Sequence, residues 1–140
     1  MNHWLVKSEP DAFSWEQQVA HGTEPWTGVR NFSARNNLRA MRLGDLALFY
    51  HSNIGKEIVG VVEVAREAYP DATATKGDWS CVDMRAVSPF PRPVTLAEMK
   101  ADPALEGFSL LRLSRLSVAP VEPGFWAHIC KIGGWKGPRG

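Results

Sequence analysis

Leu46-Ala47-Leu48-Phe49-Tyr50-His51, followed by Ser52-Asn53-Ile54-Gly55 and then by the valine-rich run Glu57 to Glu67, decides the fold class. The first run is short and strongly apolar, which suits a buried strand. The polar, glycine-containing tetrapeptide after it reads as a turn. Glu57 to Glu67 reads as a second, longer strand, and the three pieces together predict an antiparallel hairpin.

Toward the N-terminus, Gly44-Asp45 stops a helix predicted over Phe32 to Leu43. Ala34, Leu38 and Met41 recur there at helical spacing and form an inward stripe. Arg35, Arg39 and Arg42 repeat that spacing one residue later, about 100° round the helix. Before it, Thr23 to Asn31 reads as a loop with Pro25 and Gly28. Ser14 and Gln17 have capping-box spacing, so a helix is predicted from Trp15 to about His21, with Gly22 to end it. His3 to Lys7 reads as a first strand running into the turn Ser8-Glu9-Pro10.

Toward the C-terminus, Tyr69 to Asp78 is a polar loop and Trp79 to Val87 a strand, after which Pro89 to Pro93 breaks the chain. Thr95 and Glu98 form a second capping box, for a helix ending near Ala101. Pro103 to Gly107 reads as a turn, and Leu110 to Val121 as one or two strands. Pro123 stands at a favoured first-turn position for a last helix, about Gly124 to Ile132, ended by Gly133-Gly134. Residues 1–134 then form a single domain, and 135–140 a tail apart from a contact by Trp135. The sum is an α+β domain with five to seven strands, mostly antiparallel, and short flanking helices. A curled sheet of this length is expected to close into a small barrel.

The 140 residues carry a formal charge of +1, are 44% apolar and 22% charged, and include six tryptophans against two tyrosines. This composition speaks against disorder, and the charge excludes a histone-like binder. Cys81 and Cys130 stand in no CxxC pattern, so reduced thiols and a cytoplasmic protein are expected. No stretch approaches a membrane span, and the N-terminal apolar run is too short for a signal segment.

Catalytic signatures are absent. There is no GxSxG, no GxxxxGK[ST] and no GxGxxG. The histidines at 3, 21, 51 and 128 lack metal-ligand spacing, so neither a metal nor a cofactor is expected. His51 and Ser52 are neighbours on a strand and point to opposite faces, which is poor geometry for a nucleophile and its base.

From Trp26 to Gly44 there are four arginines and no acidic residue. The three on the helix could meet a line of phosphates, or form a solvated face with carboxylate partners from elsewhere. Trp26, on its Gly/Pro-flanked loop, could be a stacking platform or could cap the core.

Several motifs carry a family resemblance. Trp4-Leu5-Val6-Lys7-Ser8-Glu9-Pro10 resembles the opening of the EVE domain, as does Trp26-Thr27-Gly28-Val29-Arg30-Asn31 with Ala34-Arg35-Asn36. Gly44-Asp45, Phe49-Tyr50-His51-Ser52, Val59-Gly60-Val61, Ala68-Tyr69-Pro70-Asp71, Trp79 and Arg115-Leu116-Ser117-Val118 with Pro120 follow in order. The resemblance implies a PUA-like fold, a mixed curled β-barrel with helices around it, related to the YTH domain. It implies a non-catalytic module that reads a modified nucleobase, notably a modified cytosine, in DNA or RNA. The alternative is a pocket for a small free ligand such as a modified nucleoside. Thr27 stands where many relatives have Asp, a change that bears on a polar contact near Trp26.

On that resemblance Trp26 becomes one wall of an aromatic pocket, stacking on a flipped base. Lys7 and Ser8 offer backbone groups to the base edge, and Glu9 accepts from an exocyclic amino group, as carboxylates do from cytosine N4. Thr27, Asn31 and Ser52 add polar contacts, Tyr50 or His51 lines the same mouth, and Trp79 is either a second wall or strand packing. Arg30, Arg35, Arg39 and Arg115 hold phosphates on either side of the flipped nucleotide. Each has a plainer role available: Ser8-Glu9-Pro10 as a turn, Asn31 as a helix N-cap, Arg115 in an internal ion pair.

Overall fold

The computed structural model describes residues 2–113 and 115–137. In order it runs through β1 (His3–Ser8), α1 (Trp15–His21), β2 (Thr23–Pro25), α2 (Phe32–Ala40), β3 (Leu46–His51) and β4 (Glu57–Pro70). There follow β5 (Ser80–Thr95), α3 (Leu96–Ala101), a 3-10 turn (Pro103–Leu105), α4 (Ser109–Arg112), β6 (Val118–Val121) and α5 (Pro123–Gly133). The strands form one six-stranded sheet in the order β2-β5-β4-β3-β1-β6. The predicted hairpin is its centre, with Leu48 opposite Val61. Only β1 and β3 run parallel, Leu5 beside Leu48, because the chain between them detours through α1, β2 and α2.

The sheet is curled but not closed, and this corrects the expectation of a complete barrel. Its two ends are the short strands β2 and β6, and α2 sits across the gap. The Asn37 amide donates to the Val118 carbonyl at 2.6 Å on β6, and Arg39 Nε donates to Ser80 Oγ at 2.9 Å on β5. Side-chain bonds from a helix replace the backbone ladder that would have sealed the barrel.

Alternation along the strands sorts the apolar residues into two cores. Leu5, Leu48, Tyr50, Ile58 and Val94 face one side, where Met99, Phe108, Trp126 and Ile129 from the C-terminal helices cover them. Trp4, Val6, Ala47, Phe49 and Val62 face the other, beneath Trp15, Ala34 and Leu38 of α1 and α2. Both faces being covered is why Leu46 to Tyr50 is apolar without interruption. Close approach on the second side needs Gly60, since a Cβ there would lie 2.6 Å from the Trp15 ring.

Both capping boxes form, Ser14 with Gln17 and Thr95 with Glu98, and α5 begins at Pro123. Several elements depart from the sequence reading; β4 runs on to Pro70, with Tyr69 and Pro70, expected as loop, paired to Cys81 and Ser80. Thr23 to Pro25, expected as loop, pairs with Arg85 to Asp83 as an edge strand. α2 stops at Ala40 rather than Leu43, because the buried Asp45 carboxylate takes the Arg42 N–H at 3.0 Å and the Trp4 indole N–H at 3.0 Å. β5 continues through Pro89 to Pro93 instead of breaking. Ile58 pairs with Val94 and Gly60 with Pro89, so Val59 alone faces Phe90 to Pro93. The exposed prolines thus occupy a bulge, where a missing N–H costs little. Finally, Leu110 to Val121 is a helical turn followed by one strand, because Phe108 and Leu110 reach the core from α4 and its N-cap.

Trp135 does not trail away. Its indole donates to Ser88 Oγ at 2.6 Å and meets Trp126 edge to face. The remaining tail, 138–140, lies outside the described residues.

Candidate nucleobase pocket

A cavity of about 500 Å³ opens where β1 ends, between the turn at Ser8 to Phe13 and the loop from Glu24 to Arg30. Its size falls within the about 300–1,000 Å³ usual for small-ligand sites. Lys7, Ser8, Glu9, Trp26 and Thr27, named from the sequence for the base, line it, and so does Arg30, which was expected to hold a phosphate. Phe13, Glu24, Val29 and Ser117 also line it and were not foreseen. For Phe13 a signal existed: it directly precedes the Ser14 cap, where an apolar residue fixes the entry of the chain into the helix. Ser117 comes from the segment beside β1, and nothing local marks it.

Trp26 forms the apolar wall. It is 8% exposed, packs in the core and also borders the cavity. Phe13 and Phe49 meet its indole edge to face, at 6.2 and 5.7 Å between centroids, and neither stacks parallel upon it. A planar ring entering the cavity can take that place.

The loop carrying Trp26 is held by Asp71, whose carboxylate is fully buried. One oxygen accepts from the Gly28 N–H at 2.9 Å and from Arg30 at 3.0 Å. The other accepts from the Thr73 N–H at 2.8 Å and hydroxyl at 2.6 Å. Burial alone would raise its pKa, but these bonds, Thr73 and Gly28 foremost, overcome it and hold the carboxyl well below the ordinary range. Gly28 has φ of +85°, so the loop presents its N–H to Asp71 at a position where other residues would be strained.

At the polar end the expected backbone groups are partly spent. The Lys7 N–H donates to the Ser117 carbonyl, and the Ser8 carbonyl accepts from the Ser52 N–H, both at 2.9 Å. The Ser8 hydroxyl donates to the Phe13 carbonyl at 2.6 Å. β1 is flanked on both sides at its end, which leaves little free ladder for a base edge. Glu9 is exposed at the rim, and burial lowers the pKa of the Lys7 ammonium, which also reaches the Leu113 carbonyl at 3.3 Å. Glu24 is bound to His21 at 2.7 Å.

Other expected site residues lie elsewhere. Asn31 is the N-cap of α2, its side chain accepting from the Ala34 N–H at 2.9 Å. Tyr50 points into the opposite core. His51 Nε2 accepts the Trp15 N–H at 3.0 Å, which caps α1 and ties the ring down. Ser52 lines smaller clefts beyond Lys7. Trp79 stacks on Phe32 outside the cavity, centroids 5.2 Å apart and 11° from parallel, with Arg30 and Arg35 over the pair.

The arginines make internal bonds. Arg30 holds Asp71 and Thr73. Arg39 pairs with Asp78 at 2.8 Å, and Arg35 donates to the Asp78 carbonyl at 3.0 Å. They strap α2 to the loop between β4 and β5, with carboxylate partners from elsewhere. Arg115 borders a 390 Å³ cleft that shares Lys7, Glu9 and Ser117 with the main cavity. No cluster of three or more metal-ligating side chains occurs among the described residues, and none of their helices is long and apolar enough to cross a membrane.

The fold recurs in known proteins. A solved structure from Agrobacterium tumefaciens is 51% identical, with a TM-score of 0.95 over 99% of this chain and 97% of that one. Human thymocyte nuclear protein 1 is 38% identical over 86% of this chain and 68% of its own length. Its crystal structure in complex with DNA containing 5-methylcytosine superposes with a TM-score of 0.89 at 33% identity, covering 98% of this chain and 100% of that one. The YTH domain of Zygosaccharomyces rouxii MRB1, solved with N6-methyladenosine RNA, shares the fold alone: 15% identity and a TM-score of 0.57 over 94% of this chain and 86% of that one. The EVE domain model matches residues 2–132, and the chain belongs to the EVE domain family.

Proposed function

We propose that this chain is a non-catalytic module that reads a modified nucleobase, a modified cytosine, in DNA by taking the flipped base into the cavity beside Trp26. The observation that carries the reading is the human relative, which has the same fold and was solved with DNA containing 5-methylcytosine. The cavity suits the task. Trp26 supplies a face for stacking, and Glu9 at the rim can accept from the cytosine N4 amino group. Thr27 and Ser117 add hydroxyls at the edge. Flipping costs a few kcal/mol, which stacking worth about 1–3 kcal/mol per base begins to offset. The Ser8 hydroxyl is bonded to a carbonyl and no histidine lines the cavity, which supports binding without chemistry.

A second reading, a pocket for a free modified nucleoside, is favoured by the internal bonds of Arg30, Arg35 and Arg39. Salt separates the two. Contacts to Z phosphates of duplex DNA give a log K against log salt slope of about −0.9Z, whereas a free nucleoside gives almost none.

The experiment is a titration of matched oligonucleotides with plain and 5-methylated cytosine against the native chain and Trp26→Leu. Leucine keeps apolar volume in the core and removes the π face. The expected result is a preference for the methylated strand that the variant loses. Equal preference in both proteins overturns the role of Trp26.

A further inference from the structure

Beyond Lys7 lies a cleft of about 350 Å³. Its charged lining is Lys7, Lys56 and Lys100, and no carboxylate lines it, whereas the base cavity has Glu9 and Glu24. Tyr50, Ser52 and Asn53 supply polar groups beside the lysines. The β3–β4 turn is shaped to present them: Asn53 and Lys56 both adopt positive φ, 68° and 50°. Such a conformation is uncommon outside glycine and is a genuine constraint for a residue like lysine. Lys100 arrives from the last turn of α3, a position that also suits the helix dipole. Two carboxylates, Asp102 and Glu106, lie across Lys100 in the adjoining cleft.

We propose that this lysine cleft binds a phosphate of the nucleic-acid backbone next to the flipped base. Lys7 borders both the cleft and the base cavity, so a strand whose base enters one passes its phosphate to the other. Lys7, Lys56 and Lys100 reach one lining from separate elements, β1, the β3–β4 turn and α3, and no carboxylate lies in that lining. Cationic side chains with no carboxylate in the lining suit a phosphate, whereas Arg39 of α2 is paired with Asp78. This assignment rests on the nucleobase-reading function proposed above.

The test uses the full chain, the double variant Lys56→Asn with Lys100→Gln, and the same plain and 5-methylcytosine oligonucleotides at several salt concentrations. Asparagine tolerates the left-handed backbone at 56. The expected result is weaker binding of both oligonucleotides alike and a salt slope flatter by about one unit, the share of a single phosphate contact. An unchanged slope with intact methyl preference overturns the cleft and leaves the base reader standing. If the native chain binds neither oligonucleotide, the reader fails, and inorganic pyrophosphate judges the cleft alone. Amide shifts at Asn53, Lys56 and Leu96 that the double variant abolishes support an anion site; no local shift there overturns it.

Discussion

On one face of the sheet Leu5, Leu48, Ile58 and Val94 lie under the C-terminal helices, sealed by Phe108, Trp126 and Ile129. On the other, Trp4, Val6, Phe49 and Val62 lie under α1 and α2, and Trp26 belongs to that core while also bordering the cavity. The same strands build both faces from alternate residues. What differs is the cover. The first face is closed by helices whose apolar sides meet it directly. The second is closed partly by a loop, which hydrogen bonds to the buried Asp71 hold in addition to the packing of Trp26 and Val29. The base cavity opens at the rim of the loop-closed part of this core. The location of the cavity follows from this difference.

The comparison can be broken most forcefully on the sealed side. Phe108→Ala should cost about 3–5 kcal/mol of unfolding free energy, as large truncations in tight cores do. It should leave the methylated-to-plain binding ratio unchanged, measured below the lowered melting temperature. A changed ratio would show that the two faces are not separable. Asp71→Ala comes next. It strips the Gly28 and Thr73 N–H groups of their acceptor and leaves Arg30 unpaired, at about 3 kcal/mol, the low end for a broken buried pair because Arg30 is partly exposed. Here the binding ratio should collapse together with stability. If stability falls and the ratio survives, the loop is not what shapes the pocket.

Trp26→Leu is the smaller and sharper change. The loss expected is about 1–3 kcal/mol of binding to the methylated base, read in the titration already described. Smallest is a pH effect on the same face. Burial lowers the His51 pKa below the ordinary 6.5, although Glu57 and Glu16 pull it back, and Nε2 must be unprotonated to accept the Trp15 N–H. A group with a depressed folded pKa stabilises fully above its unfolded value. As pH falls below 6.5, the unfolded chain takes up the proton first and stability drops. Chemical denaturation between pH 8 and pH 5 should show this, and His51→Gln should show a shallower drop. His3, also lowered by burial, keeps some slope in the variant. An identical slope in both proteins would remove His51 from the account.

Much of the local structure was legible. Both capping boxes, the hairpin, the α5 start at Pro123 and the inward stripe Ala34-Leu38-Met41 rest on interactions within a few residues, and each formed. The pocket was legible in part. Trp26, Lys7, Ser8, Glu9, Thr27 and Arg30 line it, but Tyr50 fell on the opposite face and His51 became a helix cap. The split follows from strand alternation: neighbouring residues point apart, and nothing in Phe49-Tyr50-His51-Ser52 says which face the cavity occupies.

By itself, then, the sequence determined the central hairpin, the starts of α1, α3 and α5 and a single tryptophan on a loop beside a basic helix, because caps, turns and periodicity act over one or two helical turns. Tertiary structure alone decided the rest. The parallel pairing of β1 with β3 brings residues over forty positions apart side by side. Asp71, from the end of β4, locks the loop that holds Trp26, and Asp78 claims the arginines expected to meet phosphate. Charge can be counted along a chain, but a charge's partner is chosen by proximity in space. Only the folded sheet, curled until β5 and β6 share one helix, sets those distances.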